Sequence, residues 1–236
     1  MTAARIAVLD VGKSNVKLSA CTEGGHVVET LSVPNAVCDG PPWRHHDLAA
    51  LNCFVLAGLA DLARRHPLSD FVASGHGSGG MLVGADPDAG GTGLVLPMID
   101  YEQPLPPGLA EDYAPLSGGF HDRGSAVMMA ATHTARQMFW AERAEPARFA
   151  AARWCLGVPQ YWAWRLSGVA VSEASTLGAQ SHLWNVRDAR WSPIVAARGW
   201  GRLMPPLPAP PTTRAGAPGP AGGARPATPA RACRRA

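Results

Sequence analysis

The sequence predicts an α/β layer fold, and three features of its first ninety residues support this. Three short apolar runs are separated by polar turns, one amphipathic segment with helical spacing follows them, and another apolar run comes after that segment. Strands that alternate with a crossover helix are typical of layered α/β proteins, in which ligands bind at the ends of strands. We therefore expect a ligand site near the strand ends of this region.

The first three strands are predicted at residues 6–9, 16–20 and 26–33. Polar turns at residues 12–14 and 23–25 join them. Because both connections are short, the strands are expected to pair as an antiparallel meander.

The crossover helix is predicted to begin after Asp47, which is a favourable N-cap residue. Leucine and valine then recur at helical spacing until Pro67 ends the segment. Residues 71–74 read as a buried strand and residues 94–96 as another strand. His45 and His46 precede the cap, and solvated histidines are favoured there over a metal site.

The second half is predicted to be mostly helical, with helices at residues 132–144, from Pro146 onward, and at 158–167, where Gly168 caps the last one. Tyr161, Trp162 and Trp164 lie close together in that helix. A place in the core is the favoured interpretation of these aromatic residues, and a stacking platform for a ligand is the alternative.

Length and composition predict a globular protein of one or two domains. The chain has 236 residues, of which 47% are hydrophobic, and a net charge of +3. No apolar run approaches the roughly 20 residues that span a bilayer, and the first residues lack a signal-peptide pattern, so a cytoplasmic location and no membrane partner are expected. Residues 201–236 contain six arginines and no acid, which leaves a mildly acidic body with no indication of nucleic-acid binding. The oligomeric state is not predicted.

The segment from Asp10 to Lys17 has the composition of a phosphate-binding hairpin. Asp10 follows an apolar strand and can hold Mg²⁺ through water, since that ion prefers oxygen ligands. Gly12 allows the backbone to approach phosphates closely, and Ser14 and Asn15 can donate hydrogen bonds. Lys13 and Lys17 are the two lysines of the whole chain. An ordinary hairpin with a polar turn remains the alternative.

Several segments in the same order resemble the N-terminal domain of the FGGY carbohydrate kinases, in the superfamily of actin, sugar kinases and Hsp70 ATPases. That domain is an RNase H-like (actin-like ATPase) α/β fold, with a mixed sheet and flanking helices. Lys13 stands where the family usually has threonine, and Glu102 where many members have arginine. The matching segments are residues 10–17, 74–79, 97–102, 159–168, 173–175 and 183–185.

The resemblance implies phosphoryl transfer from ATP, with Mg²⁺, to a hydroxyl of a sugar or polyol. Such a reaction depends mainly on positioning and charge stabilisation. It assigns Mg²⁺ to Asp10, and the substrate hydroxyls to Asp100 and Glu102 with help from His76 and Gln160. A solvated loop is the alternative for the two acids, and a turn-stabilising role for His76. The nucleotide phosphates are assigned to Gly12, Lys13, Ser14, Asn15 and Lys17.

The resemblance covers residues 1–200, and the second kinase domain, which carries the general base in a Gly-Asp segment, is expected to be absent. The sequence contains no Gly-Asp dipeptide. Residues 201–236 form a Pro/Ala/Arg-rich segment that is expected to be disordered. Loss of the reading frame near residues 200–210, a natural linker and a basic tail are its three explanations.

These considerations predict a truncated carbohydrate kinase whose catalytic base is unknown. A non-catalytic sugar-binding or regulatory module is the alternative from another class. An ATPase or sensor of the Hsp70–actin type is the alternative within the superfamily.

Overall fold

The computed structural model of the chain describes residues 3–208, and its central feature is a four-stranded mixed sheet. The sheet consists of β1 (Ile6–Val11), β2 (Asn15–Cys21), β3 (Val27–Pro34) and β6 (Asp70–Gly75), in the order β3-β2-β1-β6. The first three strands pair antiparallel, as the predicted meander requires, and β6 lies parallel to β1.

The other strands form three two-stranded ribbons: β4 (Val37–Cys38) with β5 (His45–His46), β7 (Met81–Val83) with β8 (Trp154–Leu156), and β9 (Trp184–Asn185) with β10 (Arg190–Trp191). The helices are α1 (Leu48–Arg65), α2 (Leu109–Tyr113), α3 (Phe120–Arg123), α4 (Thr134–Ala144), α5 (Pro146–Ala151), α6 (Val158–Ser167), α7 (Ala174–Gln180) and α8 (Pro193–Ala197). Short 3₁₀ helices occur at Ala89–Gly91, Ala114–Leu116 and Trp200–Leu203.

Helix α1 begins where the sequence predicts, because the Asp47 side chain accepts a hydrogen bond from the backbone N–H of Ala50. Its buried face packs on the sheet, where Gly58 lies against Leu18 and Leu31. Helix α6 packs beside β6. It ends at Gly168, whose φ of 76° suits glycine and whose N–H donates to the carbonyl of Trp164.

Tyr161, Trp162 and Trp164 are fully buried in the core beneath the sheet, which confirms the favoured interpretation of these aromatic residues. A second core surrounds α4, with Phe139 and Trp140 as its large members. Leu203 and Met204 are buried against this second core. The folded body therefore extends past residue 200, and the rest of the predicted tail, 209–236, lies outside the described residues.

Three expectations about local structure are wrong. Strand β6 alternates between exposed and half-buried residues, because it is an edge strand rather than a buried one. Residues 94–96 contribute a single β-bridge, from Leu94 to Val83, instead of a strand. His46 is buried rather than solvated, with 2% of its surface exposed. Across residues 3–208, no helix is long and apolar enough to cross a membrane.

Candidate functional site

The turn between β1 and β2 leaves backbone donors free at the end of the sheet. The N–H of Gly12 donates to the carbonyl of Asn15 at 3.0 Å. A Cβ atom at Gly12 would lie only 3.0 Å from that same oxygen, so the close approach favours glycine at this position. Within residues 3–208, the backbone N–H groups of Lys13 and Ser14 donate to no protein acceptor.

Asn35 explains why the turn presents its N–H groups rather than its carbonyls. The Asn35 side-chain amide donates to the carbonyl of Gly12 at 2.8 Å, and its backbone N–H donates to the carbonyl of Ser14 at 2.9 Å. Asn35 is buried, and its side-chain oxygen lies 3.0 Å from Nδ1 of His46. With two carbonyls tied down and two donors free, the turn has the polarity of an anion-binding site.

Asp10, Lys17 and Ser74 share one exposed face at the end of the sheet. Asp10 pairs with Lys17 across the antiparallel ladder and with Ser74 across the parallel one. Directly opposed residues project to the same side of a sheet. Asp10 and Lys17 are both exposed, so an oxygen ligand and an ammonium group stand beside the free donors of the turn.

Lys13 connects this turn to the loop at residues 100–102. Its Nζ atom lies 2.6 Å from Oδ1 of Asp100 and 3.5 Å from Oε2 of Glu102. The same ammonium lies 5.5 Å from the centre of the Tyr101 ring, a cation–π distance. The sequence assigns Lys13 to phosphates and Asp100 and Glu102 to the substrate, and the structure places the three side chains together.

Asp100 is a fully buried carboxylate held between two cations. Arg44 lies 3.0 Å from its Oδ2 atom, opposite Lys13, and the backbone N–H of Glu102 donates to Oδ1. Burial opposes ionisation, but the hydrogen bonds from Lys13 and the Glu102 backbone, with the charge of Arg44, hold the pKa of Asp100 below its usual value. Asp100 is therefore charged at neutral pH.

The loop at 100–102 is also fixed through its backbone. The N–H of Asp100 donates to the carbonyl of Arg44 at 2.8 Å, and the Gln103 side chain exchanges hydrogen bonds with the backbone of Arg44. A β-bridge joins Ile99 to His45. These contacts hold the 100–102 loop against the β4–β5 ribbon.

Two histidines lie behind the ion pairs. The rings of His46 and His76 are 5.9 Å apart, and the ring of His76 is 5.1 Å from that of Tyr101. Both ring nitrogens of His76, and Nε2 of His46, are buried without a hydrogen-bond partner in the described part of the chain. Burial, with the nearby charge of Lys13, lowers the pKa of each histidine to about 4, so both are neutral at pH 7.

Gln160 lies apart from this cluster. Its amide nitrogen is 3.5 Å from the hydroxyl of Thr176, and its side chain lies against Gly157 at the start of α6. Among residues 3–208, no hydrogen bond joins Gln160 to the 100–102 loop. Gln160 is thus the one proposed substrate residue that the structure does not bring to Asp100.

Sequence reasoning missed Asn35, Arg44, His46 and Gln103, which position the site. Each acts on a group far along the chain, such as Gln103 on Arg44, 59 residues away. Arg44 and His46 had one local signal, because they directly precede the Asp47 cap of α1 and so lie at the same end of the fold. Nothing local indicated Asn35 or Gln103.

No family model and no curated protein matches the sequence. Solved structures do match. A carbohydrate kinase from Novosphingobium aromaticivorans has a TM-score of 0.79 and 29% identity, over 88% of this chain and 43% of that one. A gluconate kinase from Lactobacillus acidophilus has a TM-score of 0.68 and 15% identity, over 86% of this chain and 41% of that one. A Plasmodium falciparum glycerol kinase with ADP has a TM-score of 0.64 and 12% identity, over 86% of this chain and 43% of that one.

The resemblance to the N-terminal domain of the FGGY carbohydrate kinases is thereby confirmed, and the mixed sheet with flanking helices is the sugar-kinase, actin-like ATPase fold. This chain spans less than half the length of each of these kinases.

Proposed function

We propose that this chain is the N-terminal domain of an ATP-dependent carbohydrate kinase, which transfers a phosphoryl group to a hydroxyl of a sugar or polyol. The ion pair between Lys13 and Asp100 is the main support. It brings the anion-binding turn and the 100–102 loop into direct contact. Phosphoryl transfer requires the phosphate and the acceptor hydroxyl to lie close together, because positioning supplies much of the rate.

The residues at the turn fit a nucleotide phosphate and Mg²⁺. The free N–H groups of Lys13 and Ser14 would receive phosphate oxygens, and Ser14 and Asn15 expose side-chain donors beside them. Asp10 would hold Mg²⁺, which neutralises the charge of the phosphates when it is bound. Lys17 would add positive charge on the same face.

The 100–102 loop would bind the acceptor. Glu102 exposes a carboxylate that can accept hydrogen bonds from hydroxyl groups. His76 is neutral and has no protein partner in residues 3–208, so it can both donate to and accept from a hydroxyl. Asp100 would act chiefly by fixing Lys13 and the loop, and Gln160 would contact a more distant part of the substrate.

The general base for the acceptor hydroxyl would come from the second domain of such a kinase, outside the 43% of the first matching kinase that this chain covers. Because the chain spans 43% of the first matching kinase, a sugar-binding or regulatory module is the second candidate function. The cytoplasmic location and the Mg²⁺ requirement expected from the sequence belong to the same proposal.

The nucleotide half of the proposal is tested by titrating the chain with Mg·ATP in a calorimeter. Asp10→Asn is expected to weaken binding about tenfold or more, which is about 1.4 kcal/mol, because it removes the carboxylate that holds the metal. Glu23→Gln is the matched control, since Glu23 lies in the β2–β3 turn at the opposite end of the sheet. Equal affinity in wild type and Asp10→Asn would contradict the assignment of Asp10.

The two candidate functions differ in turnover. A panel of polyols is added to the chain with Mg·ATP, and phosphate ester is followed by ³¹P NMR. Ester formation supports a kinase. Because the general base is proposed to lie in a second domain, polyol binding supports the binding module only if the same chain binds no Mg·ATP.

A further inference from the structure

We infer that Glu102 acts as a charge filter, which makes the site select a neutral polyol over the corresponding sugar acid. This inference rests on the proposed function, because it concerns the acceptor half of the same site. Its basis is the pairing of charges around Asp100.

Both cations of the cluster form ion pairs with Asp100, and separating either of them from this buried carboxylate is unfavourable. Lys13 lies 2.6 Å from one oxygen of Asp100, and Arg44 lies 3.0 Å from the other. The Asp100 side chain is 0% exposed. If either cation turned toward an anionic ligand, the buried carboxylate would lose part of its compensation, which is strongly unfavourable.

Glu102 is the exposed acid of the cluster. Its side chain is 57% exposed, and Oε2 lies 3.5 Å from Nζ of Lys13. Two carboxylates thus balance two cations. Glu102 is the exposed acid, and Arg44, whose side chain is 45% exposed, is the exposed cation. A sugar carboxylate would meet the negative charge of Glu102 and find both cations already paired.

The histidines do not change this charge balance. His46 and His76 both have a pKa lowered to about 4 by burial and by Lys13, so they carry no positive charge at neutral pH. A neutral imidazole offers one donor and one acceptor; a hydroxyl group can use both, whereas a carboxylate can use only the donor. Glu102 likewise accepts from hydroxyl groups.

The test compares pairs of ligands that differ only at C1: glycerol with glycerate, xylitol with xylonate, and glucitol with gluconate. Calorimetry measures the dissociation constants for wild type and for Glu102→Gln. Wild type is expected to bind the best polyol at least tenfold more tightly than its acid. Glu102→Gln is expected to reduce this ratio at least fivefold, mainly by tighter binding of the acid, because Lys13 loses one of its two carboxylates.

Glu111→Gln is the matched control, because it removes the same charge from an exposed position of α2 and should leave the ratio unchanged. Added salt should lower the wild-type ratio, since it screens exposed charges. The inference is overturned if an acid binds wild type as tightly as its polyol, or if Glu102→Gln leaves the ratio unchanged. Polyol binding in that experiment would still support the proposed function. If no ligand binds any variant, the inference about Glu102 and the proposed binding of the acceptor by the 100–102 loop are both overturned. The Mg·ATP titration still tests the nucleotide half of the proposed function.

Discussion

Two pairs of neighbouring histidines differ in what their ring nitrogens contact. The rings of His133 and His182 stack with their centres 3.4 Å apart, and all four nitrogens have hydrogen-bond partners. The rings of His46 and His76 are 5.9 Å apart, and three of their four nitrogens have no partner within residues 3–208. The first pair is fully hydrogen-bonded within the fold, whereas the second pair has unused hydrogen-bonding capacity, as the substrate role proposed for His76 requires.

Burial alone does not separate the two pairs. It lowers the pKa of His133 to about 4 and that of His182 to about 3, as it lowers the pKa of both site histidines. A buried polar atom without a partner is the rarer observation and calls for an explanation. A perturbed pKa therefore indicates a binding site only where unsatisfied hydrogen bonds accompany it.

The hydrogen bonds of the first pair fix both rings in the neutral form. The backbone N–H of Met128 donates to Nε2 of His133, so Nδ1 of that ring carries the proton and donates to the carbonyl of Gln180. Nε2 of His182 faces the carbonyl of Ala126, so its Nδ1 accepts from the hydroxyl of Tyr113. Both rings thus tie the 126–128 segment to the body.

The largest expected effect on stability is that of His133→Phe, and the same substitution at His76 is its comparison. His133→Phe should lower the free energy of unfolding by about 2–3 kcal/mol, because the N–H of Met128 and the carbonyl of Gln180 lose their partner. His133 is chosen over His182, whose φ of 63° would add backbone strain with phenylalanine. Urea denaturation of wild type and variant measures the difference. A loss no greater than that of His76→Phe would remove the distinction between the pairs.

A smaller effect is expected on the pH dependence of stability. The pKa of His133 is lowered from 6.5, so below pH 6.5 the unfolded chain binds a proton that the folded chain does not. Stability is therefore complete above about pH 6.5 and falls as the pH drops toward 4, by up to about 1.4 kcal/mol per pH unit for each such histidine.

In His133→Phe, the number of protons taken up on unfolding should be smaller by about one, so stability should fall less steeply as the pH drops. Urea denaturation at pH 7.0 and 5.5 measures it, and these values stay above the range in which carboxylates such as Glu173 titrate. An equal loss of stability in wild type and variant would show that His133 does not take up the proton on unfolding.

Local sequence signals predict much of the fold. The β1–β2 turn, the Asp47 cap and the Gly168 cap each depend on residues within a few positions of each other, so their physics is contained in a short segment. The pairing of β7 with β8 was missed because it joins segments about 70 residues apart. The solvent exposure of β6 depends on its place at the sheet edge, which its apolar residues do not reveal.

The candidate site shows the same limit. Sequence reasoning placed Lys13 with the phosphates and Asp100 with the substrate, since each motif was interpreted on its own. The ion pair between them spans 87 residues and depends on the whole layer arrangement. The contrast between paired and unpaired histidines was likewise beyond reach, because a hydrogen-bond partner such as the Gln180 carbonyl is defined only by the folded chain.

The smallest effect on stability is expected at the second pair, and it sharpens the comparison most. His76→Phe removes two buried nitrogens that have no partner in the described residues and keeps a ring against Tyr101. Removing unsatisfied polar atoms is close to neutral, so the free energy of unfolding should change by less than about 1 kcal/mol. Polyol affinity should fall about tenfold, because the ligand loses hydrogen bonds worth about 1.4 kcal/mol. Unchanged polyol affinity together with a large loss of stability would make His76 a structural residue like His133.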